Sequence, residues 1–154
     1  MKKIMTIALI TIGTLVVLVL TFMAYNRIMP ISLGMHKPVF QVNNVALGGY
    51  DVTTYFKGAL EKGEPAYSTE AYEVTWYFSS QANMNEFKGN PEKYLPQFGG
   101  YCTKAVSTGF AAPADPTVYT LHNDQLYIFS DAAVKQAFLE NPATIIAACD
   151  SQWN

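Results

Sequence analysis

Residues 64–91 read Glu-Pro-Ala-Tyr-Ser-Thr-Glu-Ala-Tyr-Glu-Val-Thr-Trp-Tyr-Phe-Ser-Ser-Gln-Ala-Asn-Met-Asn-Glu-Phe-Lys-Gly-Asn-Pro, and residues 115–142 read Asp-Pro-Thr-Val-Tyr-Thr-Leu-His-Asn-Asp-Gln-Leu-Tyr-Ile-Phe-Ser-Asp-Ala-Ala-Val-Lys-Gln-Ala-Phe-Leu-Glu-Asn-Pro. Overlaid without a gap at an offset of 51, they agree at 8 of 28 positions. These are Pro65/Pro116, Thr69/Thr120, Phe78/Phe129, Ser79/Ser130, Ala82/Ala133, Phe87/Phe138, Asn90/Asn141 and Pro91/Pro142. Duplication explains the match, and so would two hairpin–helix joints that need the same caps and turns. In the first module Tyr72, Val74, Trp76 and Phe78 alternate with Glu73, Thr75 and Tyr77, which predicts a strand over 72–78. Ser80 stands where an N-cap belongs, ahead of a helix over 81–88 with Ala82, Met84 and Phe87 as its buried face. Gly89 is placed to end that helix in the left-handed conformation. Asn90-Pro91 restarts a short helix that Pro96 stops. In the second module Asn123-Asp124 is a two-residue hairpin signal between Val118–His122 and Gln125–Phe129. Ser130-Asp131 opens a helix through Glu140, and Asn141-Pro142 opens another ending near Cys149. Two such units predict one small antiparallel sheet with helices on one face, an α+β domain.

Upstream, Gly48-Gly49-Tyr50-Asp51 reads as a turn. Val52–Phe56 is β-branched and aromatic and reads as extended. Residues 57–65, with Gly58, Gly63, Pro65 and four charges, read as a surface loop. Residues 25–45 read as a linker, with Val39–Val42 as a short edge strand. The domain is therefore placed at 46–154.

Ile4 to Ala24 is 21 residues without a charge. As a helix it would be about 31 Å long, the thickness of a bilayer's hydrocarbon core. Lys2 and Lys3 precede it, which places the short N-terminus in the cytoplasm and the domain in the periplasm or cell exterior. A cleaved signal peptide fits less well, because bulky Phe22 lies three positions before a cut after Ala24. Beyond residue 27 the chain carries 7 basic and 12 acidic residues, a formal charge of −5, which argues against nucleic acid and anionic lipid surfaces as main partners. The membrane, through the N-terminal helix, is the partner the sequence supports directly.

Tyr50-Asp51-Val52-Thr53-Thr54-Tyr55-Phe56, Phe87 with Asn90-Pro91-Glu92-Lys93-Tyr94, and Gly99-Gly100-Tyr101-Cys102 fall in an order that resembles the YHS domain family, in particular its longer extracytoplasmic bacterial members. Asp115-Pro116, Leu126-Tyr127 and Trp153 also fit, so the resemblance covers roughly residues 46–154. Short YHS modules on heavy-metal transporters carry a Phe-Cys-Ser-x-x-Cys-x-x-x-Phe pattern. Laid on Phe78–Phe87, that pattern meets Ser79 and Asn83 where the relatives have ligand cysteines. Hydroxyl and amide groups are poor substitutes for thiolates toward soft metals.

Cys102 is the sharpest candidate for chemistry. Tyr101 and Lys104 flank it, and a nearby cation makes a thiol a better ligand or nucleophile; a buried small hydrophobe is the alternative. Tyr50, Asp51, Tyr101 and Cys102 form the candidate ligand-binding set, with Cys102 as a metal ligand for copper or another transition metal. Asp51 serves equally well as a cap on the segment that follows it. Cys102 and Cys149 could pair as a disulfide closing a loop of about 47 residues. The Gly99–Cys102 corner falls outside both modules and reads as unpaired. No catalytic triad, carboxylate pair, phosphate loop or His-x-x-x-His spacing is present. Three functions follow: a binding domain for a metal ion or small ligand near Cys102, an accessory domain docking on an envelope protein, or a thiol redox protein using Cys102 with Cys149 as resolving partner.

Overall fold

Helix α1 (Lys2–Tyr25) is exposed from Lys3 to Phe22 and approaches the rest of the chain only near its C-terminal end, where Met23 is half-buried. In this computed structural model, residues 2–153 are described. The helix is long and apolar enough to cross a membrane, a property that signal sequences share. Three of its threonines bond inside the helix: Thr11 donates to the carbonyls of Ile7 and Ala8, Thr14 to Thr11, and Thr21 to Val17. These hydroxyls therefore need no outside partner in hydrocarbon, where an unpaired polar group costs several kcal/mol.

The segment after α1 differs from the expected linker. Strand β1 (Met29–Pro30) pairs antiparallel with β6 (Phe110–Ala111), and the Ile31 N–H donates to the Gly109 carbonyl. Ile31, Val39 and Phe40 are buried. Each such burial contributes about 1.5–3 kcal/mol, enough to fix a segment whose apolar residues follow no period. The expected edge strand shortens to β2 (Gln41–Val42), which pairs with β3 (Val45–Ala46).

The offset of 51 holds in three dimensions. Strands β4 (Glu64–Ala71) and β5 (Val74–Phe78), helix α3 (Gln81–Gly89) and helix α4 (Pro91–Tyr94) correspond to β7 (Asp115–His122), β8 (Gln125–Phe129), α6 (Ala132–Glu140) and α7 (Pro142–Trp153). Both hairpins have the same bulge: Glu64 faces Phe78 but Ser68 faces Tyr77, as Asp115 faces Phe129 and Tyr119 faces Ile128. Ser80 and Asp131 are the matching N-caps, accepting from the Asn83 and Val134 N–H groups.

The match extends upstream of the modules read from sequence. Helix α2 (Val52–Tyr55) corresponds to α5 (Thr103–Val106). Leu47, Gly48 and Gly49 have φ of 49, 60 and 84°, and Phe98, Gly99 and Gly100 have 53, 63 and 77°. The Asp51 N–H donates to the Glu61 carbonyl, as the Cys102 N–H does to Ala112. The corner expected to be unpaired is thus the second copy of Gly48-Gly49-Tyr50-Asp51, and Cys102 occupies the place of Asp51.

The two hairpins do not join in one antiparallel sheet, contrary to expectation. The first lies in a four-stranded sheet of order β2-β3-β5-β4, in which β3 runs parallel to β5; the second is a separate two-stranded sheet. The parallel bridge Val45↔Thr75 recurs as Pro96↔Leu126. Each is a single bridge; Val45 also pairs with β2, whereas Pro96, without an N–H, belongs to no longer ladder. Packing unites the halves instead. On β8, Leu126 and Ile128 enter the core formed by Trp76, Phe78, Val52 and Tyr55, while Tyr127 and Phe129 enter a second core with Phe138, Ile145 and Cys149. With both faces covered, β8 reads as a continuous apolar run.

Three local expectations need correction. Val52–Tyr55 is helical because Asp51 caps it and burial of all four side chains overrides β propensity. Tyr72 and Glu73 are not in the strand: at φ 55 and 60° they form the same tight turn as Asn123-Asp124 at 51 and 59°. Gly89 remains inside α3, whose cap is Asn90 at φ −155° and ψ 73°, as Asn141 at −149° and 66° is for α6. On α3, Met84 and Phe87 are buried as expected, but Ala82 is exposed.

Candidate functional site

Asp51 is fully buried. Its Oδ1 accepts from the Thr53 N–H at 2.9 Å and the Thr53 hydroxyl at 2.8 Å. Its Oδ2 accepts from the Ser79 N–H at 2.8 Å, the Ser79 hydroxyl at 3.0 Å and the Asn83 side-chain amide at 2.7 Å. Burial raises the carboxyl pKa, but the bonds from Ser79, Asn83 and Thr53 outweigh it and hold Asp51 below the ordinary carboxylate value. Five donors leave no lone pair for a ligand, so the geometry is that of a cap tying α2 to the β5–α3 joint. Ser79 and Asn83, the two positions set against ligand cysteines by the YHS resemblance, also bond one another at 3.0 Å. Asn83 continues outward to Lys57 Nζ, which also bonds Glu86.

The equivalent place in the second repeat holds Cys102, buried with 4% exposure. Its thiol reaches Ser130 Oγ at 3.6 Å, the counterpart of the Asp51–Ser79 contact. The carboxylate's other side-chain donors are gone with it, since Lys104 replaces Thr53 and Val134 replaces Asn83. Cys149 is buried in the second core and donates from Sγ to the Thr103 carbonyl at 3.1 Å. Burial, then Asp150 and Cys102, push its thiol up to about 12. Both cysteines are free, so the disulfide considered from sequence is not formed. A thiol that holds its proton far above neutral pH is a poor resolving group.

No group of three or more His, Cys, Asp or Glu side chains is placed to hold a metal ion among the described residues. His36 packs against Trp153 with ring centroids 4.7 Å apart, and His122 packs on Phe138 at 6.0 Å. The group that Cys102 bonds, the Ser130 hydroxyl, is a hard donor and a poor ligand for a soft metal. The other two proposed ligand residues are also engaged elsewhere. Tyr50 lies under Lys62 Nζ at 3.8 Å from the ring centroid, and the buried Tyr101 bonds through its hydroxyl to the backbone of Lys37.

The open space at this corner lies on the other side of the glycines. A cleft of about 370 Å³ is bounded by Phe98, Gly99, Trp153, Gln97, Glu92 and Asp150. That volume is typical of a small-molecule pocket. Its wall exists because α7 breaks the repeat: α4 stops at Tyr94 ahead of Leu95-Pro96, whereas α7 runs on to Trp153 and brings Asp150 and Trp153 to the cleft. Trp153 is fixed by His36, Tyr101 at 6.0 Å and Phe98 at 6.1 Å. Gly99 forms the floor, where a Cβ would lie 2.2 Å from the Pro38 carbonyl oxygen. Sequence reading missed the cleft because its lining comes from separate stretches. The one available signal was that no proline or glycine interrupts the last helix between Pro142 and Trp153.

Fold and site together define a mixed α/β domain of two 51-residue repeats behind an apolar N-terminal helix, with a cleft at the asymmetric end of the second repeat. The chain matches no family model, no curated protein and no solved structure.

Proposed function

We propose that this chain is a membrane-anchored, non-catalytic binding domain on the outer side of a membrane, and that it takes a small organic cation in the cleft beside Gly99. The cleft carries the proposal. Glu92 and Asp150 supply negative charge next to the rings of Trp153 and Phe98. Carboxylates beside aromatic faces are the chemistry that attracts ammonium and guanidinium groups. The buried, proton-holding Cys149 and the enclosed Cys102 count against thiol chemistry, so the ligand belongs at the cleft and not at the sulfur. Anchoring is supported by the length of α1 and by its internally bonded threonines. Lys2 and Lys3 ahead of the helix orient it by the positive-inside rule. YHS membership is part of the same proposal; its support is the motif order and the meeting of Asp51, Ser79 and Asn83 at one point.

Trp153 provides the assay, since the other tryptophan, Trp76, is buried in the first core. Full-length protein in detergent micelles is titrated with a panel of small ammonium and guanidinium compounds while tryptophan fluorescence is followed. A saturable change is expected for at least one compound. Combining Glu92→Gln with Asp150→Asn should weaken it about tenfold, the equivalent of ~1.4 kcal/mol. No saturable change across the panel, or an equal response from a Trp153→Phe protein, would overturn the reading.

A further inference from the structure

The chain between α1 and the domain is too short and too ordered to act as a free tether. After Tyr25 the backbone continues in bonded turns, with the N–H groups of Asn26, Arg27 and Ile28 donating to the carbonyls of Phe22, Ala24 and Met23. Strand β1 begins at Met29 and is already in register with β6, Met29 facing Ala111 and Pro30 facing Phe110. Wherever α1 ends in a bilayer, the domain begins within three residues of that point.

The surface at this junction is apolar. A 3-10 turn over Ile31–Leu33, closed by Gly34 at φ 60°, buries Ile31 and turns Leu33 outward. Leu33 is 63% exposed and Met35 69%. Both line a notch of about 380 Å³ whose opposite wall is Leu20, Met23 and Ala24 of α1, with Met29 at its base. The apolar face of the membrane helix therefore runs on without a break onto the domain. Charge follows the same division. The first acidic residue of this acidic chain is Asp51, so residues 26–50 carry Arg27 and Lys37 and no acid. Tyr25, followed by Arg27, is the kind of pair that marks a membrane–water interface.

From this junction we infer that residues 25–35 form an interfacial foot. Leu33 and Met35 insert at the headgroup–acyl boundary of the leaflet in which α1 ends, and lipid fills the notch. The domain then rests on the membrane in a fixed orientation and does not swing from a stalk. The inference depends on the anchoring part of the proposal above. The occupant is lipid because the notch is lined by apolar residues alone and is continuous with the helix surface that lipid would already cover.

The test is depth measurement by spin labels on the full chain, reconstituted into vesicles of phosphatidylcholine mixed with phosphatidylglycerol. Single labels are placed at Ile10→Cys in α1, at Leu33→Cys, at Met35→Cys and at Asp124→Cys in the distal hairpin turn. Accessibility is read with oxygen, which favours lipid, and with a water-soluble nickel chelate. The expected result is an Ile10 label deep in hydrocarbon, and oxygen-to-nickel ratios at Leu33 and Met35 several-fold above that at Asp124. A buried Ile10 label with Leu33 and Met35 matching Asp124 refutes the foot and leaves the anchor standing. Low accessibility of Leu33 and Met35 to both reagents shows protein covering the notch, a second copy or a partner, and also refutes it. A water-exposed Ile10 label removes the anchor and the inference with it.

Discussion

Replacing Asp51 by Ala removes one carboxylate and strands its donors in a closed interior. The Thr53 and Ser79 hydroxyls can turn to other acceptors, but the Thr53 and Ser79 backbone N–H groups cannot, and the Asn83 side-chain NH2 group keeps only its bond to Ser79 Oγ. An unsatisfied buried donor costs about 1–3 kcal/mol, and this range includes the roughly 1 kcal/mol value of an N-cap. Two stranded amides and a weakened third contact add to about 3–5 kcal/mol, a large share of the 5–15 kcal/mol that holds a domain together. Asp51→Asn retains one acceptor oxygen but turns an NH2 group toward donors on the other side; about 2–3 kcal/mol is expected. Asp131→Ala removes an exposed cap from the second repeat and should cost only about 1 kcal/mol. Urea unfolding of the full chain in micelles, followed through Trp76 fluorescence, ranks the three. The acid limb provides a second check. The folded pKa lies below the ordinary 3.8, so the carboxylate's contribution is complete above that value and is lost as pH falls through the folded pKa. The wild type should therefore lose stability below about pH 4 more steeply than Asp51→Asn. If Asp51→Ala shifts stability by no more than Asp131→Ala, the network does not hold α2 to the β5–α3 joint, and the reasoning fails.

Matching glycines in the two corners should behave differently. A Cβ on Gly99 meets the Pro38 carbonyl at 2.2 Å, whereas one on Gly48 meets nothing closer than Pro116 Cγ at 3.8 Å. Gly48→Ala should cost only the left-handed strain of about 1–2 kcal/mol, and Gly99→Ala clearly more in the same denaturation assay. Glu73 holds φ 60° in a turn that glycine suits, so Glu73→Gly should stabilise by about 0.5–1 kcal/mol, read as a rise of several degrees in Tm. Loss of its exposed contact with Lys37 at 3.8 Å should subtract little. Cys149, with its thiol pushed up to about 12, should resist maleimide in the folded protein at neutral pH and react at full rate in urea; fast labelling of the native protein would contradict its burial.

The period-2 run Val74–Phe78, the Ser80 cap, the Asn123-Asp124 turn and the offset of 51 are properties of neighbouring residues, and the sequence alone determined them. So did the length and apolar character of α1. Local patterns carry such features because each depends on contacts within a few residues. They also supplied the candidate Asp51, whose capping role the geometry bears out through Thr53. Other decisions needed the tertiary structure. Val52–Tyr55 turned helical because a cap and complete burial outweigh β propensity. Tyr72 and Glu73 took the turn because the second repeat's geometry is shared while its Asn-Asp signal is not. The packing of β8 between two cores, and not a shared ladder, unites the two hairpins. Cys102 changed most. As a residue in a chain it stood alone in a motif; in the fold it is the counterpart of Asp51, enclosed where its repeat holds a cap. The cleft beside it depends on Glu92, Gly99, Asp150 and Trp153, which no spacing rule connects, because only the folded chain brings them to one surface.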